Sequence, residues 1–333
     1  MISQNVIQIA LMQIPIPGSE SRPIWDLVKK LSISGLDAEL QLIPPSSDPM
    51  VRSVLHDLVT KALKAEGAGN VRVIFHNPNE GVPELLREHS GTTFIAITSG
   101  KGGVGKSTVT INLAAALART GKKVGVLDAD IYGFSVPSMM DIEEKPFITD
   151  QMAFPVERDG VKIMSMGLFV KDNSPVVWRG PMLQKRIVQF LANTNWGELD
   201  YLLIDMPPGT GDAAMDIAAI LPQAKEIIVT TPHSVASAVA SRAGYMARHT
   251  EHEILGVIEN MAYFEEKDGT RSYLFGRGGG ELLASKLQTN VIARLPLTSF
   301  ETYNGSSLYD EDSVVGELFS TLAEDLLFLD ASS

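Results

Sequence analysis

Residues 94–109 read FIAITSGKGGVGKSTV, an apolar strand that breaks into a glycine-rich turn and restarts as a helix. Glycines at this spacing let the backbone approach a phosphate closely, and the helix that follows aims its first amides at it. Two ligand readings share these residues. Gly100, Gly102 and Gly105 spell G-x-G-x-x-G, the dinucleotide pattern, whereas Gly100, Gly105, Lys106 and Ser107 spell G-x-x-x-x-G-K-[ST], the triphosphate pattern. Asp128 ends the next apolar run roughly 20 residues on, where a ribose-binding acid belongs under the first reading.

The rest of the chain narrows the choice of fold. From Thr93 onward, TFIAITS, KVGVLDAD, VKIMSM, YLLIDMPP, EIIVTTP, ILGVIENM and VIARLPL alternate with helix-length segments. Short continuous apolar runs of this kind predict an α/β fold with a mostly parallel, doubly wound sheet covered on both faces. Ligands bind such sheets at the carboxyl ends of the strands, and the glycine loop, Asp128, Asp205, Thr231 and Asn260 all fall there.

The first 75 or so residues predict a separate small α+β unit. Its elements are a helix in PIWDLVKKLSI, a strand in LDAELQLIP, a helix in PMVRSVLHDLVTKALKAEG and a strand in NVRVIFHN. HNPNEGVPELLREHSG reads as a linker, which places the boundary near residue 90 and gives domains 1–90 and 91–333. A chain of 333 residues agrees with two domains of roughly 150 residues each. At the far end, Val315, Leu318, Phe319, Leu322, Leu326 and Leu327 recur at helical spacing beside an acidic face. Anionic lipid favours lysine and arginine on that face, so the expectation is a helix docked on the body of the protein.

Composition removes several functions. A net charge of −12 opposes a phosphate backbone, so nucleic acid is not the favoured partner. No apolar stretch reaches the ~18 residues of a membrane span, and the first residues lack the basic region of a signal peptide, so a cytoplasmic protein is expected. The chain has no cysteine, which excludes disulfides, a thiolate nucleophile, zinc thiolate sites and a cluster ligated by its own thiolates.

Lys106 and Ser107 favour a triphosphate. A dinucleotide site has no use for an ammonium and a hydroxyl at the helix start, whereas a triphosphate site uses the first on the β- and γ-phosphates and the second on Mg²⁺. YLLIDMPPGTGD adds an acid, Asp205, at a strand end beside that loop, and Gly209 and Gly211 let the backbone approach the γ-phosphate. Lys101 is one cation more than the plain motif needs.

KGGVGKST resembles the deviant phosphate loop of the MinD/ParA-like ATPases. Within that group VGVLDADIYGFSVPSMM, VWRGPML, LDYLLIDMPPGTGD, GVIENMAYF and FGRGGGELLA most resemble the Mrp/ApbC branch, the iron-sulfur cluster carrier ATPases. The resemblance spans nearly all of residues 93–297, and the N-terminal unit more loosely resembles a MIP18-like domain. It implies a homodimer closed around ATP, with Lys101 reaching the partner's nucleotide. It also implies that Gly102, Gly103, Val104, Gly105, Lys106, Ser107 and Thr108 cradle the phosphates, with Ser107 and Asp205 on Mg²⁺. Asp130 in DADIYG resembles the acid that positions the attacking water, Asp205 and Gly209 the second switch, and Asn260 and Pro296 the adenine contacts. A side-chain amide matches the donor and acceptor edge of adenine, which favours ATP over GTP.

The chain departs from that pattern where cluster carriers have a C-x-x-C pair, since the interval reads AYFEEKDGTRSYL. Glu265, Glu266 and Asp268 there predict a solvated hairpin tip rather than a metal site. His233 is expected to hydrogen-bond at a helix start, and His249 with His252 to lie at the surface. Arg179, Lys185 and Arg186 form either a charged helix face or a contact for nucleotide or partner. The leading expectation is therefore a Mg²⁺-dependent ATPase of iron-sulfur assembly whose cluster ligands come from an apo-protein or assembly partner. An ATP-switched regulator of DNA or protein is the alternative, and a dinucleotide oxidoreductase the minor one.

Overall fold

The protein is described here from a computed structural model. The structure describes residues 4–17, 19–42, 44, 49–75, 91–130, 133–149, 152–169, 187–188, 190–191, 193–221, 224–250, 252–266, 268–298 and 306–331. The chain divides into two compact units, Met1–Pro83 and Glu84–Ser333. The expected linker, apart from Gly91, and the boundary near residue 90 lie outside the described residues, as do Arg179, Lys185 and Arg186.

The N-terminal unit holds helix α1 (Gln4–Met12), strands β1 (Val28–Ser34) and β2 (Asp37–Leu42), helix α2 (Pro49–Ala65) and strand β3 (Val71–Phe75). β2 lies between an antiparallel β1 and a parallel β3. Alternation in β2 turns Ala38, Leu40 and Leu42 into a core shared with Ile7 and Leu11 of α1 and Leu55, Val59 and Leu63 of α2. The helix expected in PIWDLVKKLSI is instead a single 3₁₀ turn, Ile24–Leu27, followed by β1. Apolar residues at 24, 27, 28 and 31 satisfy a helical period, but pairing with β2 satisfies the backbone of Val28–Ser34 and overrides it.

The second unit is built on an eight-stranded sheet. Its strands are β4 (Thr93–Ser99), β5 (Val124–Asp128), β6 (Val156–Arg158), β7 (Val161–Ser165), β8 (Tyr201–Asp205), β9 (Lys225–Thr230), β10 (Glu253–Glu259) and, beyond a hairpin, β13 (Val291–Arg294). The hairpin pairs β11 (Phe264–Glu265) with β12 (Arg271–Ser272). The spatial order is β6-β7-β5-β8-β4-β9-β10-β13, parallel except for β6 against β7. All seven apolar runs named above contribute a strand to this sheet, so the expected α/β architecture is the observed one.

Helices α3 (Lys106–Arg119) and α7 (Val314–Ala331) cover one face, where Val109, Leu113 and Leu117 meet Phe319, Leu322 and Leu326 over Ile97, Val126 and Leu203. The tail helix therefore docks on the body of its unit. The opposite face packs Ile228 and Val257 against Ala240 of α5 (Ser234–His249) and Leu283 and Leu287 of α6 (Gly279–Leu287). A further helix, α4 (Asp212–Ile220), follows the turn after β8. Among the described residues no helix is long and apolar enough to cross a membrane.

Candidate functional site

The loop between β4 and α3 carries the glycine motif to the carboxyl end of the sheet. Gly103 and Gly105 hold φ of 78° and 86°, a left-handed backbone that a side chain would strain. A Cβ on Gly102 or Gly103 would meet nothing within 4 Å, so open space lies over the turn. Gly100 has the opposite requirement, since a Cβ there would lie 2.4 Å from the backbone nitrogen of Ala240 in α5. Gly209 ties the turn after β8 to the end of β4 by donating its N–H to the Ser99 carbonyl at 2.8 Å.

Three side chains of α3 converge on Asp205. Lys106 Nζ lies 2.6 Å from Oδ1, the Ser107 hydroxyl donates to Oδ2 at 2.5 Å and the Thr110 hydroxyl donates to Oδ1 at 3.0 Å. Lys106 and Asp205 are both buried, so this ammonium and carboxylate are held in a low-dielectric setting. Lys106 Nζ is also 3.9 Å from Asp130 Oδ2. Asp130 accepts the Gly133 N–H, and burial raises its carboxyl above the ordinary range against the opposing pull of Lys106.

Asp128 lies beside Asp205 on the neighbouring strand, with the two residues in register. Burial, then the charge of Asp205, push its carboxyl up to about 7, while a hydrogen bond from the Ser165 hydroxyl at 2.9 Å opposes the rise. In the dinucleotide reading Asp128 would be a ribose ligand; here it is fully buried behind the phosphate loop.

The two residues expected to contact adenine lie after neighbouring strands. Asn260 follows β10 and donates through Nδ2 to the Val104 carbonyl of the glycine loop at 2.9 Å. Pro296 follows β13 in a segment bonded to Ala262 and Tyr263, two and three residues beyond Asn260. Thr108 sits in the first turn of α3 and Thr231 follows β9, buried. Lys101 is exposed, and its ammonium has no ion-pair partner among the described residues. The structure thus gathers Lys106, Ser107, Asp130 and Asp205 into one cluster and leaves Lys101 facing solvent.

Other expectations divide. The hairpin tip is exposed, with Glu265 paired to Arg271 and Asp268 capping Thr270, and no group of three or more metal-ligating side chains occurs among the described residues. His233 is exposed just before α5, and His249 is exposed at its end. His252 corrects the surface expectation: it is buried with Nδ1 2.8 Å from Glu226, whose other oxygen accepts from Thr98. The buried carboxylate needs a partner, and the turn after α5 supplies the imidazole. Thr110 and Ser165 were missed. Thr110 lies four residues after Lys106 and so on the same helix face, a signal present in the sequence; Ser165 is one strand-end serine among several.

A phosphate loop at the edge of a buried strand-end aspartate, on a parallel sheet wound on both faces, defines a P-loop nucleotide triphosphatase. The model of the NUBPL iron-transfer P-loop NTPase family matches residues 91–326, and the chain belongs to that family. It is 50% identical over 283 residues to an iron-sulfur cluster carrier protein of Bacillus subtilis, covering 80% of each chain. Another of that name from Helicobacter pylori is 34% identical over 340 residues, covering 98% of this chain and 92% of the relative. A nucleotide-binding protein from Archaeoglobus fulgidus, solved with ADP, superposes with a TM-score of 0.58 at 38% identity over 74% of this chain and 91% of that one. The cell division ATPase MinD of Pyrococcus furiosus shares the fold, with a TM-score of 0.53 at 22% identity over 71% and 99%.

Proposed function

We propose that the protein is a Mg²⁺-dependent, homodimeric, cytoplasmic ATPase that serves iron-sulfur cluster assembly or transfer with cluster ligands supplied by its partner. The observation that carries the reading is the convergence of Lys106, Ser107 and Thr110 on Asp205 beneath an open glycine turn. The names of the relatives support the cluster role, and because this sequence has no cysteine the thiolates are read as the partner's. The N-terminal unit, which the Helicobacter relative spans, is read as MIP18-like.

The residues fit a triphosphate and its metal. Ser107 and Asp205 offer a hydroxyl and a carboxylate side by side, the donor set that Mg²⁺ takes in such sites, and the left-handed glycines leave room for phosphate oxygens. When bound, Mg²⁺ neutralises charge on the β- and γ-phosphates. Lys106 exchanges its contact with Asp205 for the phosphates and offsets the charge that grows as the γ-phosphoryl leaves ADP. Asp130, raised by burial, orients a water in line with the γ-phosphorus and accepts its proton. Lys101 of one protomer reaches the nucleotide held by the other, and Asn260 with Pro296 selects adenine.

Titration calorimetry with ATP and Mg²⁺, paired with phosphate release, tests this on the wild type and Lys106→Ala. Saturable binding and turnover that the variant loses are expected; a wild type that binds no ATP sinks the proposal. The absence of cysteine also favours a second reading, an ATP-switched regulator of DNA or of a protein. A gel shift that appears only with ATP would select it over the carrier role.

A further inference from the structure

Strand β13 ends the sheet: it pairs with β10 on one side and with no strand among the described residues on the other. All four of its residues, Val291 to Arg294, line a cavity of about 570 Å³. Val291 packs toward the α5 and α6 cluster, whereas Ile292 and Ala293 pack toward the α3 and α7 cluster. Side chains thus leave the strand on both faces, so a cavity touching every residue opens on the strand's edge, where backbone N–H and C=O groups point away from the sheet. An edge with no strand neighbour among the described residues is a template for another strand.

The rest of the lining is aromatic and of mixed charge, with Glu259 and Glu281 beside Arg271, Arg277 and Arg294. The guanidinium of Arg271 stacks 4.2 Å over Tyr263 and that of Arg277 stacks 3.5 Å over Tyr273, which holds both planes in place. Arg271 is paired with Glu265, and Arg294 with Glu259 and Glu281. Arg277 has no carboxylate partner among the described residues. The chain carries a net charge of −12, so an unpaired guanidinium set in an aromatic wall is a local exception to its field. Leu318 of α7 forms the opposite lip, and Leu274 and Phe275 stand exposed beside Tyr273.

We infer that this edge docks an extended acidic segment of a partner protein, which adds a ninth strand to β13 and places a carboxylate on Arg277. Backbone pairing supplies affinity, and the alternation of the added strand puts acidic side chains toward the wall of stacked arginines and tyrosines and apolar ones toward Leu318. The inference stands on the sheet edge and its wall and does not depend on the ATPase reading.

Fluorescence anisotropy of a labelled ten-residue peptide of alternating valine and glutamate, titrated with the full chain without nucleotide, tests it. Saturable binding is expected, with none for the peptide carrying lysine in place of glutamate. Arg277→Glu should weaken binding at least about tenfold, as loss of a charge-assisted pair does, while circular dichroism and ATP binding stay unchanged. N-methylating alternate amides of the peptide should lower its affinity in one of the two phases, because only one row of amides faces β13. Equal affinity of the unmodified and both methylated peptides, or no binding at all, would overturn the inference. So would displacement by citrate at the peptide's own concentration, which marks a small-carboxylate site. Self-association that Arg277→Glu abolishes, seen by sedimentation velocity, would assign the edge to a second copy instead.

Discussion

Asp128→Asn should make the protein more stable, and more so at alkaline than at acid pH. Burial and the neighbouring Asp205 raise the Asp128 carboxyl from 3.8 to about 7, so the folded chain keeps a proton that the unfolded chain releases. Between those values the unfolded state binds fewer protons, and wild-type stability declines as pH rises from about 4 through about 7. The full rise is worth on the order of 4 kcal/mol, reached near pH 8. Asparagine stays neutral throughout, and its amide can donate to Ser165 while its oxygen accepts the Asp130 N–H, so both contacts survive. Differential scanning calorimetry in EDTA without nucleotide, following the transition of the second unit at pH 5 and pH 8, reads the effect. The gain over wild type should be between about 1 and 2 kcal/mol at pH 5, where part of the penalty is already present, and larger than that by at least about 2 kcal/mol at pH 8. A gain of the same size at both pH values would refute a proton-linked origin.

Lys101→Ala should leave ATP affinity in place and lower turnover at least about 100-fold, as removal of a cation delivered in trans does, read by phosphate release against calorimetric binding. Asn260→Ala should lower the kcat/KM ratio of ATP over GTP by about tenfold, since the amide no longer reads the base edge. His252→Ala leaves the Glu226 carboxylate buried with Thr98 as its one side-chain donor among the described residues and should cost about 3 kcal/mol in urea unfolding, with ATP binding retained under native conditions. Gly100→Ala forces a Cβ against the α5 backbone and should cost about 2 kcal/mol and weaken ATP binding, because the loop can relieve the clash only by moving.

The strands and the motif core were legible from local pattern. TFIAITS and YLLIDMPP are apolar without alternation because both faces of β4 and β8 are covered, and their ends are marked by chemistry that only a strand-end site uses: glycines, Lys106, Ser107 and Asp205. PIWDLVKKLSI was misread because four apolar residues fit two periods, and only the pairing of Val28–Ser34 with β2 selects the strand. His252 was misread for a related reason. Its sequence neighbours, RHTEHE, are polar, and the partner that buries it, Glu226, is 26 residues away.

The sequence by itself determined the sheet class, the phosphate loop and the identity of the cations and acids around it, because each depends on residues within a few positions of one another. Tertiary structure alone decided which charges meet. That Lys106, Ser107 and Thr110 share one carboxylate 95 to 99 residues away, that burial and an acid on the adjoining strand drive Asp128 to about 7, and that β13 has no second strand neighbour among the described residues all follow from strand order. Strand order is set by how the whole chain buries its apolar faces, and no local stretch encodes it.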